Sequence, residues 1–138
     1  MLVIEDETVV YPNVHDALVL GLLLNGDRSV SIPLKTADGQ AMCLVLSGVE
    51  RLKADNFREG NTILSLTVTS SSTLDVGDVA EAYGVAPNDK AFLPQILERL
   101  VREKCIAVRI NPSFGCALVC VCRDLDVQEK SFFMPRDV

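Results

Sequence analysis

The chain has no tryptophan, and its other aromatic residues are two tyrosines and five phenylalanines. Proteins that hold single-stranded nucleic acid stack bases on exposed rings, and this sequence has too few rings for such a platform. Positive charge is also short: thirteen lysines and arginines stand against nineteen acids, for a net charge of −6. A general nucleic-acid binder needs a basic stripe to neutralise phosphates, so that class is excluded. The same acidity permits a basic protein partner, steered in by complementary charge. Histidine occurs once, as His15, and the five cysteines (Cys43, Cys105, Cys116, Cys120 and Cys122) form no C-x-x-C pair. Zinc-ligand spacing is therefore missing, and no metal or other cofactor is expected. There is no G-x-S-x-G, no phosphate loop, no internal repeat and no low-complexity segment. No apolar run is long enough to span a bilayer, and the opening MLVIEDETVV, with its early acids, does not read as a signal peptide. The expectation is a cytoplasmic protein with no membrane or nucleic-acid partner, its cysteines reduced and buried as small hydrophobes.

What is present points to one domain. The chain has 138 residues, 49% of them hydrophobic, enough for a core without disulfides. Its most informative stretch is 41–68. Residues 41–46 are apolar on both faces, as in a strand covered on both sides. Residues 62–68 alternate, with Leu64, Leu66 and Val68 on one face, which suits a half-exposed strand. Between them, 48–61 reads as a charged excursion that holds Phe57 as an apolar plug. Gly60-Asn61 is turn chemistry, and Asp55 and Asn56 can bond their own backbone. Two readings of this excursion stand side by side. Arg51, Asn56, Phe57, Arg58, Glu59 and Asn61 present a partner-binding surface, or the segment is a packed connection with solvated charges.

Along the rest of the chain, residues 3–11 are weakly strand-like. Residues 18–24, LVLGLLL, read as a buried strand, with Gly21 suggesting a bulge. Asn25-Gly26 and Asp38-Gly39 are hairpin turns on either side of an alternating strand at 28–36. Together with 41–46 and 62–68 these form an antiparallel meander over 1–68. A helical pair follows at 74–104. The first helix has Asp75 or Asp78 as its N-cap and Gly84 as its stop. The second starts near Phe92–Pro94 and packs Ile96, Leu97 and Leu100 inward. A β-hairpin is expected over 105–130, with a turn at 111–115 and the apolar strand CALVCVC central in the sheet. A tail at 131–138 carries Phe132, Phe133 and Met134. The fold class is therefore α+β: a mainly antiparallel sheet of about six to seven strands with two helices on one face.

His15-Asp16 is the only histidine–carboxylate neighbour pair, but adjacent residues on a strand face opposite ways, and no nucleophile context accompanies them. A small enzyme with a pocket near His15 and 48–61 is one alternative function. A winged-helix regulator is another, since helix, turn, helix and hairpin follow in that order. The acids of 74–104 oppose it, because a recognition helix should be basic. The ordered set Val14-His15-Asp16, Asp38-Gly39, Ser47-Gly48-Val49 and Asn56-Phe57-Arg58-Glu59-Gly60-Asn61-Thr62-Ile63-Leu64 resembles small uncharacterised bacterial proteins of the polymorphic-toxin immunity type. That resemblance covers the first half of the chain. It implies a non-enzymatic protein-binding domain that neutralises a toxin without a cofactor, and a homodimer is compatible with it.

Overall fold

The computed structural model describes residues 2–129. Among them are eleven strands and two helices, in the order β1 (Val3–Glu5), β2 (Thr8–Tyr11), β3 (Leu18–Val19), β4 (Leu23–Leu24), β5 (Val30–Lys35), β6 (Ala41–Ser47), β7 (Arg51–Asp55), β8 (Thr62–Thr69), α1 (Val76–Tyr83), α2 (Leu93–Arg102), β9 (Ile106–Phe114), β10 (Ala117–Cys122) and β11 (Asp124–Gln128). The class is α+β, with every strand pair antiparallel. The strand count exceeds the six to seven expected, for physical reasons. The 3–11 segment folds on itself as the β1–β2 hairpin, and the 18–24 run divides into β3 and β4. Two further strands, β7 and β11, come from charged segments whose alternation is masked by their polar faces. In β7, Leu52 and Ala54 pack against the core while Arg51, Lys53 and Asp55 are exposed.

The sheet order is β11-β6-β5-β3-β8-β9-β10-β7, with β2 on β8, β1 on β2 and β4 on β5. The two ends of that order are continuations of strands inside it. β6 runs into β7 and β10 into β11, and the two long arms pair with each other on both sides of the corner between them. The sheet therefore returns on itself as a barrel-like circuit. At the corner, Gly48, Val49 and Glu50 stand opposite only Cys122 and Arg123. Such an extra residue bends a strand sharply. Gly48 has φ 62°, and a Cβ there would collide with the Arg123 side chain, so glycine is required at the turn. The meander reading is corrected at one point: β8 pairs with β2, β3 and β9 and never with β6.

Inside the circuit lie Val30, Ile32 and Leu34 of β5, Met42, Leu44 and Leu46 of β6, Leu66 of β8, Ile110 of β9, and Leu118, Cys120 and Cys122 of β10. The period of two in each strand supplies one inward face apiece. The apolar 18–24 run is not a buried strand. Only Val19 is buried, while Leu20 and Leu24 are 44% and 73% exposed. The pairing of this run with β5 slips by one residue between Val19 and Leu23, so a bulge falls around Gly21; Leu18 and Leu20 face outward by alternation with Val19, and Leu22 keeps a half-buried place against the core.

The helices cover the outer face of β10, where Val121 meets Val79, Ala80, Leu93, Leu100 and Cys105. Both helix starts use local carboxylates. Asp75 accepts from the Asp78 amide at 2.9 Å, and Asp89 accepts from the amides of Phe92 and Leu93 at 2.8 and 2.9 Å. Gly84, at φ 70°, closes α1. α1 is pinned to β9 by Arg109, which donates to Asp78 and Glu81 at 2.7 Å each. Burial pushes the Asp78 carboxyl up, and Arg109 opposes that shift. The tail expectation at Phe132, Phe133 and Met134 lies outside the described residues.

Candidate functional site

After β7 the chain must reverse to enter β8, and Asn61 organises the reversal. It is 1% exposed, and both polar atoms of its side chain are hydrogen-bonded. Oδ1 accepts from the Arg58 amide at 2.7 Å and from the Cys116 amide at 2.9 Å, while Nδ2 donates to the Arg58 carbonyl. One buried amide thus fastens the loop 56–61 to the β9–β10 turn. Gly115, at φ 82°, lies so close that a Cβ there would collide with Asn61 Oδ1. Asn56, in the left-handed region at φ 59°, accepts from Arg58 Nε at 2.9 Å and donates to the Gly115 carbonyl at 3.5 Å. Asparagine tolerates that conformation better than most residues.

The result is a rigid tip made of two loops. Phe57 is 46% exposed on one and Phe114 is 55% exposed on the other, with Arg58 and Glu59 exposed beside Phe57. Of the six residues expected to form a partner surface, Asn56, Phe57, Arg58 and Glu59 come together here. Asn61 sits beneath them and offers no exposed atom. Arg51 does not join them: it opens β7 at the opposite end of the strand, with its guanidinium 5.1 Å from the centre of the Tyr83 ring. Phe114 was missed because 111–115 reads as a turn. Instead, β9 continues through Pro112 to Phe114, and Thr62 pairs with Phe114 across the strands. An aromatic beside Gly115 was the available signal.

His15 has a different task. Leu64 is the extra residue of a bulge in β8, standing between the pairs Ile63–Pro112 and Ser65–Asn111. Its carbonyl lies 2.9 Å from His15 Nδ1, so the proton on Nδ1 satisfies it. His15 Nε2 is 3.6 Å from Asp16 Oδ2, with both side chains more than half exposed.

At the corner of the circuit, Glu50 is only 13% exposed and accepts from both Arg28 and Arg99. The Arg99 hydrogen bond, with Arg28 assisting, holds the Glu50 carboxyl below the usual range. Arg99 also reaches Glu103 at 3.3 Å and Tyr83 Oη at 3.0 Å, and Arg123 donates to Glu103 at 2.5 Å. Burial pushes the Tyr83 phenol up.

Among the described residues, two of the surface clefts stand out. One, of about 430 Å³, is lined by Tyr11, Asn13, Asp38, Gln40, Met42 and Glu129 among others. The other, of about 610 Å³, lies between α2 and the start of β7. Neither includes His15. All five cysteines are free and buried, and burial pushes the thiols of Cys43, Cys105 and Cys116 up. Among the described residues no group of three or more His, Cys, Asp or Glu is placed to hold a metal ion, and no helix is long and apolar enough to cross a membrane. Comparison with protein-family models, with curated proteins and with solved structures finds no match to this chain.

Proposed function

We propose that this chain is a non-enzymatic protein-binding domain, of the kind that neutralises a toxin, and that it meets its partner through the tip formed by 56–61 and the β9–β10 turn. The observation that carries the reading is that Phe57 and Phe114 are both exposed, on two loops fastened together by a buried Asn61. Aromatic and arginine side chains are the usual energetic anchors of interfaces, and a loop already held in one conformation loses little entropy on binding. Arg58 and Glu59 supply a polar rim beside the rings. The net charge of −6 favours encounter with a basic partner. The toxin-neutralising part rests on the resemblance carried by Val14-His15-Asp16, Asp38-Gly39 and the stretch from Asn56 to Leu64.

The test is quantitative capture from the source cell, together with rescue of growth when the product of the neighbouring gene is co-expressed. Replacing Arg58 and Glu59 by alanine together should leave the thermal midpoint nearly unchanged and weaken capture by about tenfold, near 1.4 kcal/mol. Replacing Phe57 and Phe114 together should weaken it further. Capture unaffected by both pairs would remove the tip from the interface. Turnover of a small molecule that is lost in His15→Ala would place the protein among enzymes instead.

A further inference from the structure

The cleft between α2 and the start of β7 is not used by the tip, since Phe57 lies six positions beyond Arg51, on the order of 15–20 Å along an extended chain. We propose that this cleft is a second binding site, and that its ligand is an acidic peptide segment carrying a bulky apolar side chain. The first support is electrostatic. In a chain of net charge −6, the lining brings together Arg51, Arg99 and Arg102 against a single carboxylate, Glu98. Arg99 is already committed to Glu50 and Glu103. Arg51 and Arg102 are exposed and have no ion-pair partner among the described residues, so the uncommitted cations outnumber Glu98.

The second support is the hydroxyl of Tyr83. Its oxygen accepts from Arg99 Nη2 at 3.0 Å, which leaves its own proton free to donate into the cleft. Arg51 stacks on the face of the same ring, which holds the guanidinium beside that donor. An incoming carboxylate therefore meets a cation and a hydroxyl donor already in place. The third support is apolar. Phe92, 65% exposed, lines the cleft together with half-buried Ile96 and Val85. A bare inorganic anion would leave that apolar wall unused, whereas a side chain of leucine or phenylalanine size would cover it. The cleft is an open trough of about 610 Å³, which suits a linear segment.

The experiment is to pan a display library of random heptapeptides against the immobilised full chain, then measure the enriched peptides by fluorescence anisotropy. Enriched sequences should place Asp or Glu beside Phe, Tyr or Leu. Their binding should weaken about tenfold or more in the double variant Arg51→Glu with Arg102→Glu, and should fall as salt rises from about 50 to about 300 mM. Phe92→Ala should weaken it several-fold, while Phe57→Ala with Phe114→Ala should leave it unchanged, which separates this site from the tip. Circular dichroism checks that the double variant is folded. Should it not be, Arg51→Gln with Arg102→Gln reads the same loss. Enrichment of basic peptides, no enrichment, or binding that survives both double variants would overturn the proposal.

Discussion

Asn61→Ala gives the sharpest test of how the tip is built. The substitution removes an acceptor shared by the Arg58 and Cys116 amides and a donor to the Arg58 carbonyl. Arg58 is exposed, so water can take over its amide and carbonyl. Cys116 is 1% exposed, so its amide is left without a partner. A stranded buried donor costs about 1–3 kcal/mol, and each of the two exchanged hydrogen bonds about 0.5–1.5 kcal/mol, so a loss of about 2–6 kcal/mol is expected. For a domain of this size the thermal midpoint should fall by on the order of 10 °C. Urea unfolding supplies the free energy, and hydrogen exchange at the Cys116 amide supplies the location, since that amide should lose protection more than its strand neighbours. Asn61→Asp is the informative partner. It keeps both acceptor bonds but sets an oxygen against the Arg58 carbonyl, so acidification, which restores a hydrogen there, should recover part of the loss. A cost below about 0.5 kcal/mol for Asn61→Ala would refute the argument, because the two loops would then be held together by something else.

Leu100→Ala should cost about 2–5 kcal/mol by urea unfolding, because Leu100 is fully buried between the helices and β10. Glu50→Gln should cost about 1–2 kcal/mol at neutral pH, a figure kept low because Arg99 and Arg28 are 37% and 60% exposed and screened by solvent. The folded-state carboxyl of Glu50 titrates below its ordinary value of 4.5, so its stabilisation is present above that value and is lost as pH falls through the lower, folded one. The gap between wild type and Glu50→Gln should therefore close in acid; a gap independent of pH would mean that the charge is not what matters.

Local rules carried far in this chain. Of the two N-cap candidates, Asp75 and Asp78, it is Asp75 that caps α1, and Gly84 closes the helix as its position in the sequence suggests. The turns at Asn25-Gly26 and Asp38-Gly39 join β4 to β5 and β5 to β6. The alternation at Val30, Ile32 and Leu34 names residues that are in the core. What escaped notice depends on partners far away in sequence. β7 becomes a strand only because β10 lies beside it, more than sixty positions later, and its own residues are too charged to announce it. The leucines at 18–24 look buried by composition, yet Leu18, Leu20, Leu23 and Leu24 are exposed and only Leu22 packs partly against the core. In the candidate site, Arg58 and Glu59 were legible as exposed loop residues, whereas Phe57, read as an apolar plug, is 46% exposed. The burial of Asn61 was not legible, because turn-forming asparagine looks the same whether its amide faces solvent or fastens a second loop. Phe114 was hidden for a related reason, its strand being defined by pairing with Thr62.

The long arms that meet at the corner also set the order in which this chain can become a protein. Residues 43–55 find their partners at 117–128, so during synthesis β6 and β7 each wait with a bare edge until those residues have been made. Contacts of such long sequence separation slow folding, and unpaired edges invite association with other chains in the interval. Both helices also lack their floor until Val121 arrives. Fragments cut anywhere between α2 and β10 would consequently keep their hairpins but leave the circuit open, with β6 and β7 as ready templates for aggregation.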